Sequence, residues 1–168
     1  MKLWLVDADI VIDFLSLDVF DKLVTNHQVY VASVAADEVK FFKRGRVKYE
    51  IDFRKKYVAT NSVKELSASS EETKEIFSKL PPIFRDTLDP GELESLAVLF
   101  REHELTFCTC DAAAIRALPF LDLPHRGISA ENLLKSSGFL KSGLKPRHTE
   151  QYFKANLEIG LRGKIYSF

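Results

Sequence analysis

Apolar and polar positions fall into two periods along the chain. "KLWLV" (2–6) is a short apolar run of strand length, followed at once by "DIVIDFLSLDVFDKLV" (9–24), where Ile10, Ile12, Phe14, Leu15 and Leu17 recur at helical spacing. "QVYVAS" (28–33) reads as a second strand and "VAADEVKFFKRG" (34–45) as a helix stopped by Gly45. "ELTFCT" (104–109) reads as a third strand and "DAAAIRAL" (111–118) as a helix ended by Pro119. Strands alternating with helices through very short connections predict βαβ units. The expected fold is therefore α/β, three-layer α/β/α around a central, mainly parallel sheet.

Between the second and third strands the pattern is helical. "SVKELSASSEETKEIFSKLPP" (62–82) reads as two short helices ending before Pro81. "LDPGELESLAVLFREH" (88–103) is the clearest helix, with Asp89 as N-cap, Pro90 at the first helical position and Glu92 at the third, a capping-box arrangement. Leu93, Leu96, Ala97 and Phe100 form its apolar stripe. "SAENLLKSSGFL" (129–140) and "RHTEQYFKANLEIGLRGKI" (147–165) read as two C-terminal helices.

The chain has 168 residues, enough for one domain with a real core, and its 46% apolar and 29% charged residues are ordinary for a globular protein. With 24 basic against 24 acidic residues there is no global field drawing it to nucleic acid, so any such surface must come from local segregation of charge. No apolar stretch approaches the length of a membrane span and the N-terminus lacks a signal-peptide pattern. A soluble, cytoplasmic protein with no membrane partner is expected. Cys108 and Cys110 read as reduced, buried thiols; His27, His103, His125 and His148 show no metal-ligand spacing.

In a parallel α/β sheet, the loops at the carboxyl ends of the strands converge on one edge, where ligands bind. Asp7 and Asp9 follow the first strand, Asp37 and Glu38 lie just beyond the second, Asp111 directly follows the third, and Glu92 opens the long helix. Singly, each has a plain structural role: Asp7, Asp9 and Asp111 as N-caps, Glu92 in a capping box, Glu38 on a solvated helix face. Together they place carboxylates from four segments near one rim, a repulsive set unless cations neutralise it. Oxygen-only sites of this kind suit Mg²⁺ or Mn²⁺.

"LVDADIVIDFL", "ASVAADEVK", "LDPGELESLAVLF" and "FCTCDAAAIRAL", in that order, resemble the four acidic motifs of the PIN domain family. The resemblance covers residues 1–135, read as a nuclease domain, and leaves 136–168 as a C-terminal helical extension packed on it. It implies a Mg²⁺- or Mn²⁺-dependent endoribonuclease, with Asp7, Glu38, Glu92 and Asp111 as metal ligands and catalytic residues, and Asp9 and Thr109 in support. Glu94 is the rival to Glu92 as third acid. Many family members are toxins of toxin–antitoxin pairs. The sequence departs from the family at Cys110, where related sequences often carry a second Asp.

"KFFKRGRVKYEIDFRKKY" (40–57) carries eight Lys/Arg against two acids, interleaved with aromatic residues. Basic groups track a phosphate backbone and aromatics stack on unpaired bases, which makes Lys43, Arg44, Arg46 and Lys48 candidate RNA-binding residues. The bland alternative is a solvated helix face over core aromatics. The expected partners are an RNA substrate, an antitoxin protein and a second copy of the chain in a homodimer. Two other readings stand beside the nuclease. One is a catalytically weak PIN-like module binding RNA or protein. The other is a haloacid-dehalogenase-type phosphatase, with Asp7 as covalent nucleophile and Asp9 as general acid.

Overall fold

The computed structural model describes residues 2–139 and 142–167. In chain order the elements are β1 (Leu3–Val6), α1 (Ala8–Ser16), α2 (Phe20–Asn26), β2 (Gln28–Ala32), α3 (Ser33–Glu38), β3 (Phe41–Arg44), β4 (Val47–Glu50), β5 (Val63–Leu66), α4 (Ser70–Lys79), α5 (Phe84–Thr87), α6 (Pro90–Arg101), β6 (Thr106–Cys108), α7 (Ala112–Ala117), β7 (Gly127–Ile128), α8 (Ala130–Ser136) and α9 (Glu150–Tyr166). Five strands form one parallel sheet in the order β5-β2-β1-β6-β7.

Helices cover both faces of this sheet, giving the expected three-layer α/β/α arrangement. The alternation of β1 shows why. Trp4 and Val6 join one core with residues of α1, α2, α3 and α8, while Leu5 joins the other with residues of α4, α6 and α7. Each fully buried side chain such as Leu5 or Phe107 contributes roughly 2 kcal/mol of transfer free energy. Among the described residues, no helix is long and apolar enough to cross a membrane.

Three sequence expectations are corrected. The helix expected over 9–24 breaks after α1, because Asp18 takes a left-handed conformation (φ 59°). Asp18 N–H then donates to Leu15 O and Val19 N–H to Phe14 O, which closes the helix end as a Schellman motif. The helix expected over 34–45 ends at Glu38, and the chain turns back on itself as the antiparallel β3–β4 hairpin. Gly45 (φ 60°) is the first residue of its two-residue turn, so it makes the hairpin instead of stopping a helix. The first of the two helices expected over 62–82 is strand β5, which pairs with β2 and buries Val63. Only the second, α4, is helical, started by a Ser69–Glu72 capping box.

The C-terminal helix α9 lies against α7, and Gly160 allows the close approach: a Cβ there would run into the Arg116 backbone. Leu140, the last residue of the 129–140 stretch, lies outside the described residues.

Candidate metal centre

β1 has β2 on one side and β6 on the other, so the chain changes direction across β1. The carboxyl ends of β1 and β6 at that switch frame a crevice, the usual ligand position in such sheets. Asp7 N–H extends the β1–β6 pairing by donating to Cys108 O at 3.1 Å. The Asp7 carboxylate then caps α1, accepting from Ala8 N–H at 2.9 Å, while its second oxygen accepts from the Thr109 hydroxyl at 3.1 Å. Thr109 Oγ1 in turn accepts from Asp111 N–H at 3.1 Å, so one hydroxyl links the ends of two neighbouring strands. Asp111 caps α7 through Ala114 N–H at 2.9 Å.

The remaining acids come from other segments. Glu92 and Asp89 form the capping box of α6, Glu92 accepting from Asp89 N–H at 2.9 Å and Asp89 from Glu92 N–H at 2.8 Å. Glu38, at the end of α3, lies over the start of α6: a Cβ built on Gly91 would sit 2.9 Å from Glu38 Oε1 and 3.4 Å from Asp89 Oδ1. Gly91 thus leaves room for the Glu38 carboxylate.

Electrostatics ties these groups into one cluster. Burial, opposed by the bonds from Ala8 and Thr109, pushes the Asp7 carboxyl up to about 7, and the charges of Asp9 and Asp89 add to the rise. Burial likewise pushes Glu92 up to about 9, against its bond from Asp89 N–H and with the charges of Asp111, Asp89 and Asp7. Glu38 is raised by burial and then by Asp89, Asp9 and Asp37. Among the described residues, the salt bridges nearest this set are Arg54 on Asp37 and Arg147 on Asp9; none reaches Asp7, Glu38, Asp89, Glu92 or Asp111. The starts of α1, α6 and α7 direct N–H groups toward the same rim, but these satisfy caps and do not neutralise whole charges.

Of the four acids expected as ligands, Asp7 and Asp111 lie close enough to Glu92 to raise its carboxyl and Glu38 lies beside Asp89, with Thr109 bonded to Asp7; among the described residues no three of these carboxylates bring ligand atoms within 4.8 Å of one another. The rival Glu94 is committed elsewhere. Its two oxygens accept from Val34 N–H at 2.7 Å and Ala68 N–H at 3.1 Å, which fastens α6 to the turns after β2 and β5. Asp9 stands on the exposed side, bonded to Arg147 at 3.3 Å. Asp89 is the cluster member that sequence reasoning passed over, because its capping role explained it completely. The donor set is all carboxylate oxygen, which fits a hard divalent ion such as Mg²⁺ or Mn²⁺.

A second group lies beside the first. Ligand atoms of Asp13, Cys110 and His148 fall within 4.8 Å of one another. Their chemistry is already satisfied. Asp13 accepts from Lys145 Nζ, Arg147 Nη2 and His148 Nε2, each at 2.7 Å, and His148 Nδ1 accepts from Lys145 N–H at 3.0 Å. Both imidazole nitrogens are in use and two cations already face the carboxylate. Burial pushes the Cys110 thiol up to about 12. This group fastens residues 145–148 to α1. None of its members stood out in the sequence as partners, because Asp13 is 132 to 135 residues from the groups that bind it.

The four basic residues singled out for RNA lie on the hairpin, on different faces. Arg44 is occupied, donating to Leu15 O and to Asp18. Lys43, Arg46 and Lys48 are exposed. No family model matches the chain, and neither the curated proteins nor the solved structures contain a match.

Proposed function

We propose that the chain is a PIN-like, Mg²⁺- or Mn²⁺-dependent endoribonuclease whose site is the Asp7–Glu38–Glu92–Asp111 rim. What supports this reading is that Asp7, Asp89, Glu92 and Asp111 stand near the strand ends and raise one another's carboxyls, and that no salt bridge among the described residues reaches them. A protein keeps mutually repelling, partly buried carboxylates together when a cation binds them. The four motif resemblances point to the same residues.

Asp7 and Glu92, both buried, would hold the ion together with Glu38 and Asp111. Thr109 fixes the orientation of Asp7. A bound divalent ion lowers the pKa of a ligated water and offsets charge developing on the phosphate. No side-chain nucleophile is needed. Asp7 is a poor one, since it is buried and both its oxygens accept hydrogen bonds, which weighs against the phosphatase reading.

The test is cleavage of a mixed RNA substrate with Mn²⁺, with EDTA, and by Asp7→Asn. Cleavage that needs the metal and disappears in Asp7→Asn is the expected result. Full activity in EDTA or in the variant overturns the reading. Mn²⁺ binding without any cleavage favours the binding module instead.

A further inference from the structure

The helix that carries Glu38 does not hold its own place. α3 is six residues long, with Ala32 at its N-cap and no side-chain bond there. A helix so short is unstable by itself in water, and its first N–H groups need partners from outside. Its buried residues are Ala35 and Ala36, which offer little apolar surface for packing. The position of α3, and of Glu38 at its end, is therefore set by bonds from other segments.

The most buried of these bonds comes from α6. Glu94 Oε2 accepts from Val34 N–H, in the first turn of α3, at 2.7 Å. Glu94 Oε1 accepts from Ala68 N–H, just past β5, at 3.1 Å. One carboxylate, on a residue 7% exposed, thus joins α6 to the start of α3 and to the exit of β5. The other supports are weaker. Arg54 donates to Ser33 O at 3.0 Å and pairs with Asp37 and Glu65, but its side chain is 44% exposed and solvent screens it. Ser33 Oγ donates to Leu66 O at 3.3 Å, a long bond.

The two ends of α3 meet α6 at different points. Val34 is bonded to Glu94, and Glu38 lies against Gly91, where an added Cβ would sit 2.9 Å from Glu38 Oε1. Glu92 stands between Gly91 and Glu94 in the chain. The bond to Glu94 fixes one end of α3, while the other end presents Glu38 beside the residue next to Glu92.

We propose that Glu94 is a positioning residue for the metal centre. It holds α3 on α6, and so sets where Glu38 stands relative to Glu92 and how tightly the two take a divalent ion. This rests on the metal-dependent reading given above. The two glutamates of α6 then differ in role: Glu92 is offered to the ion, and Glu94 to the backbone that carries Glu38. Glu94→Gln keeps one of the two bonds through its carbonyl oxygen but turns an amide N–H toward the other donor. Glu94→Asp keeps both oxygens on a side chain one methylene shorter, too short for both donors.

The experiment is calorimetric Mn²⁺ titration of the full chain and its variants at one temperature, well below their melting points. Glu94→Gln and Glu94→Asp should each weaken Mn²⁺ binding about tenfold, the scale for groups that orient metal ligands. Glu38→Gln should weaken it comparably, and combining it with Glu94→Gln should add little, because both changes take the same carboxylate from the ion. Leu23→Ala controls for stability alone. It opens a cavity in the core against α2, which leads into the amino end of β2, and should leave the affinity within about twofold. Without metal, amide hydrogen exchange at Val34 and Ala68 should quicken in Glu94→Gln more than at the paired amides of β2 and β5.

Parent-like Mn²⁺ binding in Glu94→Gln overturns the proposal, and so does unchanged exchange at Val34. An equal loss of affinity in Leu23→Ala, or fully additive losses in the double variant, overturns it too: the first leaves only stability, the second a role apart from Glu38. The two readings fail separately. If the parent binds no Mn²⁺, the metal centre falls and this proposal with it. If the parent binds Mn²⁺, loses it in Asp7→Asn and keeps it in Glu94→Gln, the positioning role falls alone.

Discussion

Asp7 and Asp13 lie at the cap and in the body of one short helix, each 6% exposed, yet they are driven in opposite directions. Around Asp13, burial is outweighed by the donors of His148, Lys145 and Arg147, which hold its carboxyl well below the usual range. Around Asp7, burial wins over two neutral donors, and neighbouring carboxylates add to it. Burial alone therefore does not decide the state of a carboxylate; the charge of its neighbours does. The Asp13 region is complete as it stands, and stabilises. The Asp7 carboxyl, with only neutral donors on it, stays raised, which is what the proposed cation site requires.

The largest test of this contrast is a pair of substitutions measured by urea denaturation without metal. Asp13→Ala strands Lys145, Arg147 and His148 and should cost about 3 kcal/mol. Asp7→Asn removes a disfavoured charge and should leave stability unchanged or raise it near pH 8. A similar loss in both would erase the distinction.

Next comes pH. A carboxyl whose folded value is raised makes the folded state bind more protons than the unfolded chain, so its contribution is lost as pH rises. With Asp7 at about 7 and Glu92 at about 9, the metal-free protein should melt at progressively lower temperature from pH 5 to pH 9. Asp13 has the reverse sign: its contribution is present above the unfolded carboxyl value near 4 and is lost on acidification below it. Saturating Mn²⁺ should flatten the alkaline fall, and a melting curve that rises toward pH 9 without metal would contradict the assignment.

A smaller effect is expected at Gly91. Gly91→Ala puts a methyl group against Glu38 and should weaken Mn²⁺ binding about tenfold, the scale seen when ligand-supporting contacts are lost, with little change in the melting temperature. The smallest belongs to the link between the regions. Arg147→Gln gives up a partly exposed pair with Asp9 and one of three donors to Asp13, a loss of about 1 kcal/mol in the denaturation midpoint.

Much of this was legible in the sequence wherever one residue's local pattern carried the information. The apolar runs marked β1, β2 and β6, and the acids after them marked the strand ends where the candidate site is proposed. The capping box at Asp89 and Glu92 was legible for the same reason. What the chain did not reveal needed distant partners. The strand character of β5 depends on β2 beside it, and the hairpin on Phe42 finding the core beneath α1. The clasp on Asp13 joins residues more than 130 positions apart, and no local pattern of His148 or Arg147 announces it. Glu92 and Glu94, two residues apart on one helix, separate only when Val34 and Ala68 are seen to occupy Glu94.

The most direct measurement is a calorimetric Mn²⁺ titration of the parent protein beside Asp7→Asn and Asp13→Asn near pH 7.5. The proposed site predicts saturable binding at millimolar concentration or tighter in the parent, with protons released as the raised carboxyls give way to the ion. Binding should be lost in Asp7→Asn and retained in Asp13→Asn. Absence of binding in the parent, or loss only in Asp13→Asn, would contradict the account.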